Sequence, residues 1–252
     1  MKEIQEKKIL EILQSKEYMS VEDLSVLTGA STSTVRRALN SLQAKNLITR
    51  THGGAKIHKE SNVSPSFTFR FHQNSFEKKK MALSAIKLIK DGDIVFLDGS
   101  TSAYYIAEYL NEFKDIKVIT NGIDTLSLLS KNNITAYSTG GQVSFVNPSV
   151  LVGRYAENTI ENFYADIAFF SAQALDRSGE IYDCFEEEIF LRRAMLKNAK
   201  KKVFLCDSTK IAKTSPYHLC SIKDVDCIVS NASLSQISHT SNIEQIITDK
   251  VD

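Results

Sequence analysis

Two sets of residues in this chain have the types and spacing to do chemistry. The first is Ser31-Thr32-Ser33-Thr34-Val35-Arg36-Arg37-Ala38-Leu39-Asn40. Wound as a helix, it puts Val35, Leu39 and Leu42 on one face with Ala38 beside them, and leaves Ser33, Thr34, Arg36, Arg37 and Asn40 off that apolar stripe. An arginine fork bonds O6 and N7 of guanine together, and Ser and Thr hydroxyls hold phosphate oxygens. That is the chemistry of reading double-stranded DNA; the plainer alternative is a pair of solvated arginines on a structural helix. The second set consists of polar and glycine residues placed just after apolar runs: Asp98-Gly99-Ser100-Thr101-Ser102, Thr120-Asn121-Gly122, Ser138-Thr139-Gly140-Gly141, Ser171-Ala172 and Asp207-Ser208-Thr209-Lys210. Ser100, Thr101 and the free amides of a helix start form a phosphate cradle, and Lys210 adds a point charge. Asp98 and Asp207 are placed to accept sugar hydroxyls. Each also has a structural reading: Asp98 and Ser100 as helix caps, Asn121 as a turn former, Lys210 as surface.

The first set needs a small scaffold, and the surrounding residues supply one. Ile9, Leu10, Ile12 and Leu13 place an apolar stripe on a helix over residues 2–15. Ser20, with Asp23 three residues on, is an N-cap for a short helix through Leu24 and Leu27 that Gly29 ends. Ser31 or Thr32 caps the third helix. Leu47–Arg50 and Ala55–Ile57 alternate around Thr51-His52-Gly53-Gly54 as a small hairpin, or wing. Helix, short glycine turn, helix and wing make a winged helix-turn-helix, whose second motif helix enters the major groove. His52 stands on the wing either at the DNA or satisfied by its own turn.

The second set is positioned by alternating strands and helices. A helix is expected over residues 77–91, with Lys78, Lys79 and Lys80 as a solvated face, and strands at Ile94–Leu97, Lys117–Thr120, Ile134–Ser138, Ile167–Phe170, Val203–Cys206 and Cys227–Ser230. Continuous apolar runs separated by helices predict an α/β domain with a mainly parallel sheet, whose ligands sit beyond the carboxyl ends of its strands. Between the two parts, Lys59 to Asn74 is polar, holds Pro65 and shows neither period. The expected organisation is therefore a DNA-binding domain at 1–58, a linker at 59–76 and an effector-sensing domain at 77–252.

Composition bounds the alternatives. The 252 residues are 42% apolar and 24% charged, which excludes a disordered, collagenous or coiled-coil chain. No run approaches the roughly 18 apolar residues of a membrane span, and the charged start reads as neither signal peptide nor anchor, so no membrane partner is expected. Net charge is +1, but residues 1–60 hold ten Lys and Arg against seven Asp and Glu, a local basic bias. Cys184, Cys206, Cys220 and Cys227 lack C-x-x-C spacing, and His58, His72, His218 and His239 lack metal spacing. No disulfide framework, metal or cofactor is expected, and the location is a reducing cytoplasm.

The stretch S-x-x-T-V-R-R-x-L at 31–39, followed by L-x-x-x-N-L-I-x-R-x-H-G-G-A at 42–55, resembles the N-terminal signature of the DeoR family of bacterial transcriptional regulators. The family usually has Asp where this chain has Ala38 and Gly where it has Asn46. The resemblance continues through D-G-S-T-S at 98–102, T-N-G, T-G-G, V-G-R-Y-A at 152–156, A-D-I-A-F-F-S-A at 165–172, S-G-E-I at 178–181, Glu187-Glu188 leading into Arg192-Arg193-Ala194-Met195, and C-D-S-T-K at 206–210. It implies a sensor domain related to sugar-phosphate isomerases such as ribose-5-phosphate isomerase. Where the family usually reads Asp-Ser-Gly-Thr-Thr, this chain exchanges the Ser and Gly positions.

The resemblance implies a non-enzymatic DNA-binding regulator, a repressor of a sugar or related carbohydrate catabolic operon that a phosphorylated sugar releases from operator double-stranded DNA. Ser31, Ser33, Thr34, Arg36, Arg37, Asn40, Arg50, His52 and Gly53 would meet DNA. Asp98, Ser100, Thr101, Ser102, Asn121, Gly140, Gly141, Ser171, Glu187, Asp207 and Lys210 would meet the effector. Paired half-sites predict a homodimer or homotetramer. The alternative is a sugar-phosphate isomerase-like enzyme with a DNA-binding appendage, using Asp98, Asp207, Glu187 and Lys210 as base and electrophile.

Overall fold

Apolar residues at helical spacing bury one face of each of the first three helices. The computed structural model describes residues 2–15, 18–44, 47–51, 53–57 and 67–248, in two compact units, Met1–Gln73 and Asn74–Asp252. The first unit runs α1 (Lys2–Ser15), β1 (Tyr18–Ser20), α2 (Val21–Thr28), α3 (Thr32–Ala44), β2 (Ile48–Thr51), β3 (Gly54–Ile57) and α4 (Phe67–His72). Ile9, Leu13, Leu24, Val35, Leu39 and Leu42 meet in its core. Ser20 caps α2: its Oγ accepts the Asp23 N–H at 3.0 Å and donates to the Asp23 carboxylate at 2.7 Å. Gly29, at φ 71°, ends α2 with its N–H on the Ser25 carbonyl at 3.0 Å.

The wing is a two-residue hairpin, because Thr51 stands opposite Gly54 in the antiparallel β2–β3 register. Each strand runs one residue farther toward the turn than alternation alone predicts. His52, Asn46 and residues 58–66 lie outside the described residues. The strand β1 was not expected, since three residues are too few to show a period. It joins the far side of β3, giving the order β1-β3-β2. Gly54 permits that approach: a Cβ there would stand 2.3 Å from the Met19 carbonyl oxygen.

Residues 67–72 also differ from expectation, forming α4 where a linker was read. Phe67, Phe69 and Phe71 stand two apart and give no 3.6-residue stripe from which a helix could be read. Phe69 packs into the core of the first unit, and burial outweighs the local pattern.

In the second unit the elements are α5 (Ser75–Ala85), β4 (Ile94–Leu97), α6 (Thr101–Ala107), β5 (Lys117–Thr120), α7 (Ile123–Lys131), β6 (Thr135–Ser138), β7 (Gln142–Val143), β8 (Leu151–Val152), α8 (Arg154–Glu161), β9 (Ala165–Phe170), β10 (Ala174–Leu175), β11 (Glu180–Asp183), α9 (Glu186–Lys197), β12 (Ala199–Cys206), β13 (Tyr217–Ser221), β14 (Cys227–Ser230) and β15 (Glu244–Ile247). Seven strands pair in parallel in the order β15-β14-β12-β9-β4-β5-β6. Val95, Phe96, Ile119, Phe169, Phe204 and Ile228 are buried on it. The edge strand β15 escaped sequence reading because half of it is exposed Glu244 and Gln245.

Helix α5 departs from expectation in one respect that matters below. Lys79 is exposed, as a solvated face requires, but Lys78 is only 4% exposed. It shares its helical face with buried Met81, Ala82 and Ala85, so the phase of the helix turns it inward. No helix among the described residues is long and apolar enough to cross a membrane. Gly54→Ala is expected to cost about 1–3 kcal/mol through overpacking against β1, read as a lower urea midpoint for the first unit.

Candidate functional site

The DNA-facing candidates gather on the first turns of α3 and on the wing. Ser31 Oγ accepts the Thr34 N–H at 3.3 Å and lies 2.9 Å from the hydroxyls of both Ser33 and Thr34. This hydroxyl cluster sits at the N-terminus of a helix that carries two arginines and no acidic residue. Arg36 is exposed and makes no side-chain bond among the described residues. Arg37 Nε returns to the Ser33 carbonyl at 3.4 Å. Arg50 Nη1 donates to Asn40 Oδ1 at 2.7 Å, tying β2 to α3. Gly53 is exposed at φ 82°, and its carbonyl accepts the Val21 N–H at 2.8 Å. The arrangement presents cations and hydroxyls together, the set that holds phosphates and base edges.

The effector candidates come from strand ends. In the register, Leu97 of β4 lies opposite Phe169 of β9, and Phe170 opposite Phe204 of β12, so the three strands end nearly level. The chain lays β5 and β6 on one side of β4, then returns to lay β9, β12, β14 and β15 on the other. Strand order therefore reverses between β4 and β9, the crevice where open α/β sheets bind ligands. Asp98, Ser171 and Asp207 leave the three strands at this rim. Ser171 Oγ donates to the Leu205 carbonyl at 2.6 Å and accepts from Lys210 Nζ. Lys210 Nζ also stands 3.7 Å from Asp207 Oδ2. Asp207 Oδ1 accepts the Thr209 N–H at 3.0 Å, the Thr209 hydroxyl, and Asn74 Nδ2 at 3.4 Å. Burial pulls the Asp207 pKa up, but Lys210, the Thr209 bonds and Lys78 together hold it below the ordinary carboxylate value.

The neighbouring loops keep polar atoms at the same edge. Ser100 caps α6 by accepting the Ala103 N–H at 3.2 Å, and Thr101 and Ser102 are buried in its first turn. A Cβ at Gly99 would stand 2.3 Å from Val150 Cγ1. Glycine is therefore needed at 99 in this chain and the hydroxyl sits at 100, which accounts for the exchanged order of the loop. Asn121 Nδ2 donates to the Leu151 carbonyl at 3.1 Å, while its Oδ1 is buried without a hydrogen-bond partner. Gly140 and Gly141, at φ 62° and 98°, turn the chain after the edge strand β6, two strands away from β4.

Two effector candidates need correction. Asp98 is 1% exposed and its oxygens are occupied from within: Oδ2 accepts Arg192 Nε at 2.8 Å and the Ser171 N–H at 3.1 Å, and Oδ1 accepts the Ser100 N–H at 3.1 Å. It braces the rim rather than awaiting a sugar hydroxyl. Glu187 faces solvent, and Glu188 is the inward member of the acidic pair. Its Oε2 accepts Arg192 Nη2 at 2.6 Å and its Oε1 accepts Asn147 Nδ2 at 2.7 Å, while Arg192 Nη1 donates to Asp183 Oδ2 at 2.9 Å. Helical phase decides this: residues 188 and 192 are four apart on the face that buries Leu191 and Met195. That spacing was readable in the sequence; Asp183 and Asn147 carried no signal. Burial pulls the Arg192 pKa down, but Asp183, Glu188 and Asp98 outweigh it and hold the guanidinium charged.

The four cysteines are free thiols, and burial pushes Cys206, Cys220 and Cys227 up to about 12. Among the described residues no group of three or more His, Cys, Asp and Glu is arranged to hold a metal ion.

A helix-turn-helix with a wing, joined to a parallel sheet whose polar rim lies at the reversal of strand order, defines a DNA-binding transcriptional regulator. The chain belongs to the DeoR family: the DeoR-like helix-turn-helix domain matches residues 6–61, and the DeoR C-terminal sensor domain matches residues 73–232. It is similar to the HTH-type transcriptional repressor GlcR of Bacillus subtilis, 30% identical over 96% of this chain and 95% of that protein. It is also similar to the L-fucose operon activator of Haemophilus influenzae, 30% identical over 90% of each chain. Among solved structures it is similar to ribose 5-phosphate isomerase A of Methanocaldococcus jannaschii, with 19% identity, 55% of each chain covered and a TM-score of 0.42. The family and these two relatives are named for regulation of transcription, not for catalysis.

Arg192→Met strands three buried carboxylates and is expected to lower stability by about 3–5 kcal/mol, seen in chemical denaturation. Because the folded pKa of Asp207 is depressed, its contribution to stability is present above the unfolded value and is lost as pH falls through the folded one. Asp207→Asn should therefore flatten the decline in stability as pH falls below the ordinary aspartate value of about 4.

Proposed function

We propose that the chain is a repressor of an operon for the catabolism of a sugar or related carbohydrate, and that a phosphorylated sugar at the rim releases it from its operator. The observation that carries this reading is Lys210. Its ammonium is held between Ser171 and Asp207 at the crevice of the sheet, with its side chain still 16% exposed. A cation fixed at that place and reachable from solvent fits an anionic ligand. Ser100, Thr101, Ser102, Asn121, Gly140, Gly141, Ser171 and Asp207 would complete the site, the polar groups meeting sugar and phosphate oxygens. Residues 1–58 would bind DNA and residues 77–252 would sense the effector. The relative named a repressor supports the sign, to which the relative named an activator is the counter-example, and the latter's L-fucose operon supports the substrate class.

The mechanism is linkage. An effector that binds one arrangement of the protein better than another shifts the population by that difference, however tightly it binds overall. Operator reading would use a homodimer or homotetramer, with one α3 in the major groove at each half-site. Arg36, exposed and unengaged, would meet a base edge, and Ser31, Ser33, Thr34 and Arg37 would meet the backbone. Arg50 would act through Asn40, and Gly53 would let the wing approach the duplex.

Duplexes selected by the protein from a random pool supply the probe for a gel-shift assay. Arg36→Ala is expected to weaken specific binding by about 1–3 kcal/mol. A phosphorylated sugar should release the complex while its unphosphorylated counterpart does not. Equal binding by the variant removes Arg36 from the interface, and a complex unmoved by any phosphorylated sugar contradicts the effector reading.

A further inference from the structure

We infer that Asn74, at the start of α5, is a positioning residue that carries the state of the Asp207–Lys210 pair to the point where the chain enters the second unit. The inference rests on the proposed effector rim and adds the path by which occupancy of the rim is passed on.

Asn74 is the first residue of the second unit and the N-cap of α5, in the left-handed region at φ 51°. An asparagine at this position ordinarily gives its side-chain oxygen to an amide of the first turn. Here no such cap bond forms. The side chain reaches 133 residues along the chain instead, with Nδ2 on Asp207 Oδ1 at 3.4 Å. One turn later, the N–H of Lys78 makes the first bond of the helix, to the Asn74 carbonyl at 2.9 Å. Its ammonium is buried near a helix N-terminus, where the dipole disfavours a cation, and its charge helps to keep Asp207 ionised.

Asp207 thus serves two sides with one charge. Lys210 draws on it from the rim, and Asn74 draws on it from α5. An anion that takes the Lys210 ammonium leaves more of the Asp207 charge to α5, so the bond from Asn74 shortens and the first turn of the helix stiffens. That turn is the first of the second unit, directly after the boundary at Gln73. Asn74 is suited to this role because its weak, long bond has room to tighten.

The test needs no ligand. Amide hydrogen exchange at Lys78 to Lys80 is measured on the full chain for wild type, Lys210→Met, Lys210→Arg, Asn74→Gly and the Lys210→Met/Asn74→Gly double variant, with thermal unfolding to verify that each is folded. Lys210→Met imitates capture of the ammonium and is expected to slow exchange about threefold, the effect of one weak hydrogen bond. Lys210→Arg should match wild type. Asn74→Gly keeps the left-handed backbone while deleting the amide, and in that background Lys210→Met should change nothing. Equal slowing with and without the Asn74 side chain, or no slowing in Lys210→Met, overturns the inference. If Lys210→Met fails to fold, Lys210→Gln takes its place with the same expectations. Absence of any sugar phosphate that binds would refute the effector reading and leave this result as it stands.

Discussion

The second unit is organised around one buried guanidinium. Arg192 receives carboxylates from the end of β4, the end of β11 and the preceding turn of α9, all nearly inaccessible to water. Taking four charged groups out of solvent costs several kcal/mol apiece, and mutual attraction offsets this only when geometry and extra hydrogen bonds are good. Here they are: Asp98 also accepts two backbone N–H groups, Glu188 accepts Asn147, and Asp183 Oδ1 accepts the Cys184 N–H at 2.6 Å. What the cluster supplies is position more than net stability. It fixes Asp98, Asp98 fixes the amides of Ser100 and Ser171, and the Ser171 hydroxyl meets Lys210. The polar rim is in that sense the outer layer of a buried ionic network.

This layering explains why Asp98 faces inward. Asp98 is spent on the frame, whereas Lys210 is held by neutral Ser171 at contact distance and by Asp207 at a longer one. A cation so placed is oriented by its two contacts. The first unit follows the same logic with less burial. The Arg50–Asn40 bond and the Val21–Gly53 bond brace α3 and the wing, and Arg36 is left unengaged at the surface.

Much of this was legible in the sequence because burial imposes period. The α3 stripe of Val35, Ala38, Leu39 and Leu42 is buried as the spacing requires, and six strands of the parallel sheet lie where continuous apolar runs place them. The missed features are those where a tertiary contact overrides local pattern. Burial of Phe69 accompanies a helix in a segment without helical period, and Gly54 lets β1 approach as a third strand. Lys78 is buried by the phase of its helix, on the face of Met81, Ala82 and Ala85. At the site, five strand-end loops are legible from composition, but composition does not show which carboxylate a buried arginine takes up. Asp98 and Glu187 were misread for that reason; the i,i+4 spacing of Glu188 and Arg192 was the available clue. The exchanged Gly99 and Ser100 have a local cause, the Val150 side chain, which no short motif contains.

The central claim is that the rim at the reversal of strand order is an anion site built on Lys210. Its most direct test is a thermal-shift titration of wild type and Lys210→Met with phosphorylated sugars and their unphosphorylated counterparts, since a ligand of the native state raises its melting temperature by mass action. The account predicts a rise in wild type for at least one phosphorylated compound, none for its unphosphorylated counterpart, and loss of the rise in Lys210→Met. An equal rise in the variant, or a response that ignores the phosphate, would contradict it.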